Sequence, residues 1–188
     1  MSRWEPNAKG RLERAALELY ANGGFEQTTV AEIAKRAGLT ERTFFRYFGD
    51  KREVLFAGAD RLQTLFVDEV AGAPSSATPI AAVAIALDAA AELLQDNRDF
   101  ARQRQNAIST NNELQERELI KLATLALAMA EALRARGVKE PTASLTAQAG
   151  IAIFRVAFEQ WTDDSNEQEF SSLIRDSLGE LRTLTADQ

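Results

Sequence analysis

Apolar residues recur every three or four positions along nearly the whole chain, and no stretch alternates with period two for long enough to form a strand. This pattern predicts an all-α protein of about nine helices. Near the N-terminus it predicts a helix from Ala8 to Asn22, which Gly23 and Gly24 end by supplying the left-handed backbone that a helix terminus commonly requires. Two short helices follow this first one.

Capping residues locate those two short helices. Thr29 followed three positions later by Glu32 fits a capping box at the start of the second helix, and Gly38 ends that helix. Thr40 is placed to cap the third helix. The succession of helix, short helix, glycine turn and short helix is typical of a DNA-binding helix-turn-helix, although short helices around a glycine also occur in other all-α proteins.

Six further helices are predicted after this N-terminal group. The first is opened by Asp50 and Glu53, a capping-box-like pair, and the uncharged segment 71–79 is interpreted as a connector. The six predicted ranges are 50–70, 79–95, 97–109, 112–136, 141–162 and 166–184. An acidic turn at 163–165 joins the last two helices as an antiparallel pair, and two such pairs would form a four-helix bundle between two subunits.

The apolar stripes of these last two helices are the predicted dimer interface. Its residues are Ala147, Ile151, Phe158, Trp161, Phe170, Ile174, Leu178 and Leu181.

Charge is divided unevenly along the chain, whose overall net charge is −6. Residues 1–52 carry ten Lys and Arg against seven Asp and Glu, a net charge of +3, whereas the remaining residues carry a net charge of −9. A basic N-terminal part can approach phosphates while the acidic remainder keeps the protein in solution. The asymmetry permits DNA binding but does not by itself establish it.

The composition removes several classes of function. The chain contains no cysteine and no histidine, which excludes disulfides, thiolate or imidazole metal sites and a Ser-His-Asp triad. We therefore predict no metal and no cofactor. Charged residues among the first 13 positions and the lack of a long apolar segment predict a cytoplasmic protein that does not contact the membrane.

Two strings of residues carry a specific resemblance. Residues 28–40 read TTVAEIAKRAGLT and residues 42–51 read RTFFRYFGDK, which closely resembles the signature of the TetR family of transcriptional regulators. The resemblance spans about residues 11–55. It implies a helix-turn-helix DNA-binding domain at 1–52 and an all-α ligand-binding and dimerisation domain at 53–188. It also implies a homodimeric repressor that binds palindromic operator DNA and is released by a small effector.

The matched positions predict contacts with double-stranded DNA. Thr29 and Lys51 are placed to hold phosphates, through a hydroxyl at a helix N-terminus and through a point charge. Glu41, Arg42 and Thr43 lie in the first turn of the third helix, where side chains meet base edges in the major groove.

One position departs from the family pattern. Phe45 stands where the family commonly has a tyrosine whose hydroxyl contacts a phosphate, so it can contribute only packing or an apolar contact. Arg46 and Tyr47 are therefore the predicted DNA contacts at this end of the helix. The Phe-Phe-Arg-Tyr-Phe string resembles a subgroup in which some C-terminal domains are described as binding acyl-CoA-like ligands.

The predicted effector site is apolar, with two nearby guanidinium groups. Arg98 and Arg102 are one helical turn apart and can receive a carboxylate or the phosphates of an acyl-CoA, although a solvated polar face is the ordinary alternative. The predicted apolar lining comprises Leu87, Phe100, Leu122, Leu125, Met129 and Phe154, each of which could equally be plain core.

Two other functional classes compete with a DNA-binding regulator. An all-α enzyme would have to work through carboxylates, but the chain shows no carboxylate constellation outside a turn, so we predict that the protein is not an enzyme. A helical dimerisation module could bind another protein without binding DNA. The presence of Arg42, Thr43 and Lys51 argues against that module.

Overall fold

The computed structural model describes residues 7–186, and within that range the chain forms nine α-helices, one 3-10 turn and no strand. The all-α prediction is confirmed. The helices are α1 (Ala8–Gly23), α2 (Val30–Arg36), α3 (Glu41–Tyr47), α4 (Ala59–Gly72), α5 (Pro79–Gln95), α6 (Arg98–Ser109), α7 (Asn112–Ala135), α8 (Thr142–Thr162) and α9 (Phe170–Ala186), and the 3-10 turn spans Glu53–Phe56.

The described chain divides into two compact units, which we call the head and the body. The head comprises residues 7–59 together with 102–117, and the body comprises 60–101 together with 118–186. Helices α6 and α7 therefore each contribute residues to both units. Among the residues that the structure describes, no helix combines the length and apolar character that crossing a bilayer requires.

The head is built around the packing of α1 against α2 and of α2 against α3. Leu12, Ile33 and Phe44 supply fully buried side chains, one from each helix. Gly24 follows α1 with a φ of 81°, a left-handed conformation that favours glycine. The predicted glycine stop after the first helix is therefore confirmed.

Phe56, at the end of the 3-10 turn, is enclosed by two arginines of the head's second segment. The guanidinium carbons of Arg104 and Arg117 lie 5.2 Å and 5.6 Å from the centre of its ring. Arg117 also pairs with Glu53 at 3.3 Å. These contacts join the 3-10 turn to residues 102–117 through cation–π and ionic interactions.

The predicted continuous helix at 50–70 is wrong, because the structure divides this region into the 3-10 turn and α4. Asp50 does act as a cap, since its Oδ1 accepts from the backbone N–H of Glu53 at 3.0 Å. Side chains then compete for the carbonyls that a continuous helix would use. Arg104 donates to the Leu55 carbonyl at 2.6 Å, and Lys9 donates to the Ala57 carbonyl at 3.3 Å.

The body is centred on mutual packing of α5, α8 and α9. Its core also includes Phe66 and Val70 of α4 and a stripe of α7. Helix α9 begins at Phe170, four residues later than predicted, because local turns at Asp163 and Asn166 precede it. The side-chain oxygen of Gln95 accepts from the backbone N–H of Phe170 at 3.1 Å and so caps this helix from another element.

Candidate functional site

The N-terminus of α2 is closed by the capping box that the sequence predicts. The Thr29 hydroxyl oxygen accepts from the backbone N–H of Glu32 at 3.2 Å, and the Glu32 carboxylate accepts from the backbone N–H of Thr29 at 2.8 Å. The Thr29 hydroxyl also donates to this carboxylate at 2.8 Å. Hydrogen bonds from the Thr29 backbone and side chain hold the pKa of Glu32 below its ordinary value.

The turn between α2 and α3 depends on a glycine. Gly38 has a φ of 65°, and a Cβ at this position would lie 2.8 Å from the Arg11 side chain. Arg11 donates to the carbonyl of Ala37, and the backbone N–H of Leu39 donates to the Ala34 carbonyl at 2.8 Å. These bonds set the point at which α3 begins.

Helix α3 has one buried edge and one open face. Thr40 caps it by accepting from the backbone N–H of Thr43 at 3.2 Å, and the two threonine hydroxyls lie 3.0 Å apart. Phe44 is buried against α1 and α2, and Phe48 is buried beyond the end of the helix. The exposed residues are Glu41, Arg42, Phe45, Arg46 and Tyr47, whereas Thr43 is half-buried. The open face therefore presents two cations, one anion and two aromatic rings.

Arg46 and Tyr47 form a pair at the C-terminal end of this face. Arg46 donates from Nη2 to the Tyr47 hydroxyl oxygen at 3.0 Å, and its guanidinium carbon lies 4.9 Å from the centre of the tyrosine ring. Because the hydroxyl accepts this bond, its own proton is available to a further acceptor. The arrangement places two donors beside each other on the surface.

Lys51 occupies a different kind of environment from the exposed residues of α3. Its ammonium donates to the carbonyls of Phe25 at 2.8 Å, Glu26 at 3.0 Å and Thr28 at 3.0 Å. An ammonium has three donors, so all of them are used inside the head. The Tyr20 hydroxyl donates to the Lys51 carbonyl at 2.7 Å, and burial raises the pKa of this tyrosine. A phosphate contact by Lys51 would require it to release one of these carbonyls.

The predicted effector residues are partly brought together. Leu87, Leu125, Met129 and Phe154 belong to one buried cluster in the body, and Leu122 packs against it. Phe100 is half-buried. The cluster is tightly packed where α8 meets α5, because a Cβ on Gly150 would lie 2.5 Å from Cγ1 of Val83.

The two predicted arginines of the effector site lie one turn apart on α6 but belong to different units. Arg98 belongs to the body, where Nε donates to the Trp161 carbonyl at 2.8 Å and Nη2 donates to the carbonyls of Asp163 and Asn166. Arg102 belongs to the head. Arg98 thus tethers the turn between α8 and α9, a role that helical spacing alone does not indicate.

The predicted interface residues lie in the core of the single chain. Ala147, Ile151, Trp161, Phe170, Ile174 and Leu178 are buried, while Phe158 and Leu181 are half-buried and pack against the same core. Burial within one chain leaves these side chains little surface for a second chain. The outer face of α8 instead exposes Leu145 and Val156, which are 66% and 43% accessible, together with Ala152.

Two family models match the chain. A model described as bacterial regulatory proteins, tetR family, matches residues 13–57. A model described as MftR C-terminal domain matches residues 77–186, which is more than half of the chain.

Relatives and solved structures agree with these matches. The HTH-type transcriptional regulator TcmR of Streptomyces glaucescens is 33% identical over 88 residues, which cover 47% of this chain and 39% of TcmR. The chain thus spans less than half of that relative. FadR of Thermus thermophilus, solved with lauroyl-CoA, has a TM-score of 0.60 at 22% identity over 96% of both chains. FadR of Bacillus subtilis, solved with stearoyl-CoA, has a TM-score of 0.61 at 23% identity over 92% of this chain and 96% of that chain. At these identities the two structures show a shared fold.

Proposed function

The chain belongs to the TetR family of bacterial regulatory proteins, and from this premise we propose that it is a one-component transcriptional repressor. It binds palindromic operator DNA as a homodimer and is released by a small apolar or amphipathic effector. The observation that carries the proposal is the open face of α3, whose exposed side chains follow a capped N-terminus while Phe44 and Phe48 anchor the helix in the core.

The exposed side chains of α3 are of two kinds: some are suited to base edges and others to phosphates. Glu41 and Arg42 lie in the first turn, where a carboxylate can accept from cytosine N4 and a guanidinium can bind guanine O6 and N7. Arg46 and Tyr47 present adjacent donors suited to one phosphate. Thr29 adds a hydroxyl at the start of α2, once its bond to Glu32 is exchanged for a phosphate.

A homodimer is proposed because one recognition helix reads only one half-site. Two such helices, roughly 34–36 Å apart, would occupy successive major grooves of a palindrome. Leu145, Ala152 and Val156 repeat at helical spacing on the outer face of α8, and we place the interface there and on the neighbouring face of α9. The antiparallel pair of α8 and α9 would then pack against the same pair of the second subunit, and the two pairs would form a four-helix bundle.

An acyl-type effector is proposed from the character of the body. Its core is almost entirely apolar and includes Leu87, Met129 and Phe154. The two FadR structures were solved with acyl-CoA molecules, which supports testing this ligand class here. The effector must bind the DNA-free state more tightly than the DNA-bound state if it is to release the operator.

The primary experiment selects genomic fragments of the source organism with the full-length protein at near-physiological salt and with excess competitor DNA. A recovered palindrome supports the proposal, whereas recovery of nothing above competitor overturns it and favours a protein-binding module. Arg42→Ala should weaken specific binding by about 1–3 kcal/mol and relax the preference at one base pair. Arg61→Ala, which removes an exposed arginine of the body, is the matched control and should bind normally.

A second experiment addresses the effector. Acyl-CoAs and free fatty acids of several chain lengths are titrated into the protein by calorimetry and into the protein–operator complex. Heat of binding together with operator release is the expected result for at least one chain length. Absence of both for every compound would overturn the acyl assignment and leave the DNA-binding proposal standing.

A further inference from the structure

Phe45 is an exposed aromatic side chain in the middle of α3. Its side chain is 54% accessible, although its immediate neighbour Phe44 is completely buried. The two rings meet edge to face, with centroids 5.5 Å apart and planes at 83°. The buried ring therefore holds one edge of Phe45 in place and leaves the remainder of the phenyl group open.

The surroundings of this phenyl group are polar. Glu41 and Arg42 lie four and three residues earlier, so they share the exposed face of the helix with Phe45. In the proposed function these two side chains meet base edges. An apolar ring is thus presented one helical turn further along the surface that approaches the major groove.

The chemistry of the major groove restricts what such a ring can contact. Base edges there offer nitrogen and oxygen acceptors and amino donors, and the only apolar group among them is the C5-methyl of thymine. We propose that Phe45 is a specificity-determining residue that packs against a thymine methyl in each half-site. This inference rests on the proposed function, because it assigns one base to the surface that the proposed function places on DNA.

The neighbouring aromatic residue has a different role. The Tyr47 hydroxyl is paired with Arg46, and the guanidinium also lies over the Tyr47 ring. That pair is suited to a phosphate, because its two hydrogen-bond donors lie next to each other. Phe45 has no polar atom on its side chain, so a base methyl is the group from which it excludes water most effectively.

The test uses the operator recovered by genomic selection and replaces its thymines one at a time, symmetrically in both half-sites, by deoxyuridine. Deoxyuridine keeps base pairing and removes only the methyl group. At one symmetric position we expect binding by the unaltered protein to weaken about fourfold per half-site, the effect of losing one methyl-sized apolar contact. Phe45→Ala should bind the thymine and deoxyuridine operators equally at that position.

Leu127→Ala is the matched control, because it shortens an exposed apolar residue of α7 and should retain the full thymine preference. The circular dichroism spectrum of Phe45→Ala checks that the variant is folded. The measurement on the unaltered protein requires no variant and stands alone if Phe45→Ala fails to fold.

Three outcomes overturn the inference, and they are distinguishable. If no thymine position is sensitive to deoxyuridine, Phe45 does not read a methyl group, although operator binding persists. If Phe45→Ala retains the thymine preference, another residue reads that methyl. If no operator is recovered at all, the proposed function fails first and this inference fails with it.

Discussion

The ammonium of Lys51 lies 4.5 Å above the ring of Phe25 and donates to the Phe25 carbonyl at 2.8 Å. Two further carbonyls, of Glu26 and Thr28, accept its remaining donors. These contacts hold the loop between α1 and α2 against Lys51, which lies two residues before the 3-10 turn. Lys51 therefore has a structural role in the head whether or not it also meets a phosphate.

Replacing Lys51 by alanine should therefore destabilise the head. Loss of the charged donor leaves the partly buried carbonyls of Phe25 and Thr28 and the exposed carbonyl of Glu26 without this partner, and we expect the free energy of unfolding to fall by about 1–3 kcal/mol. Urea denaturation measures this change, and hydrogen exchange at residues 25–28 should accelerate. The exposed Lys35 of α2 provides the control, since Lys35→Ala should leave stability unchanged. Unchanged stability of Lys51→Ala with a salt slope reduced by about one would identify Lys51 as a phosphate ligand alone.

Gly150→Ala tests the close approach of α8 to α5. A Cβ at this position would lie 2.5 Å from Cγ1 of Val83. Alanine normally stabilises a helix interior relative to glycine by roughly 0.5–1 kcal/mol, but overpacking here should reverse the sign and cost about 1–3 kcal/mol. Val83→Ala should restore part of the stability in the double variant. Gly72→Ala, in the open last turn of α4, should not destabilise, and equal effects at the two glycines would contradict the packing argument.

The proposed dimer interface can be tested by comparing an exposed and a buried residue. Val156→Asp places a charge on the outer face of α8 and should yield a folded monomer that binds the operator poorly. Ile174→Asp should instead unfold the body, because Ile174 is buried within a single chain and an unpaired charge there is strongly destabilising. Sedimentation equilibrium and circular dichroism separate these results. A dimeric Val156→Asp variant would exclude this face of α8 as the interface.

Asp88 of α5 introduces a dependence of stability on pH. Its Oδ1 is buried and has no hydrogen-bond partner within residues 7–186, and burial raises its pKa above the ordinary value of 3.8. The nearby charge of Arg175 opposes the rise, and that of Glu92 adds to it. Because the folded state binds this proton more tightly than the unfolded state, ionisation of Asp88 lowers stability as the pH rises through and above 3.8.

Asp88→Asn should therefore be more stable than the unaltered protein at pH 7, and the difference should shrink below the ordinary pKa of the carboxyl. Thermal denaturation at pH 7 and pH 3 measures this pattern. Asp68→Asn, at an exposed position of α4, should show no such convergence. A constant difference for Asp88→Asn at both pH values would show that the charge of the carboxylate is not the cause.

Capping residues and glycines in the sequence predicted α1 to α3 well, because the residues that start and end these helices lie within a few positions of one another. The capping box of Thr29 and Glu32 and the positive φ of Gly38 depend on neighbours in sequence. The break before α4 could not be predicted in this way. It depends on Arg104 and Lys9, which are about 50 residues away and take up carbonyls at 55 and 57.

Periodicity has a corresponding limit in the body. An apolar stripe on α8 shows that Trp161 and Ile151 face other apolar groups, but it cannot say whether these belong to the same chain or to a second one. The structure places both residues in the core of the single chain. Arg98 shows the same limit for polar residues, since its carbonyl partners lie more than 60 residues away.

The head consists of two segments that are separated by 42 residues of the body. A fragment ending at Ala59 would lack both arginines that enclose Phe56, as well as the Arg104 bond to the Leu55 carbonyl. Exchange of residues 7–59 alone between related regulators would therefore part the 3-10 turn from the side chains that contact it. A chimera that keeps these contacts imports residues 102–117 from the same parent as residues 7–59, which takes three crossover points rather than one.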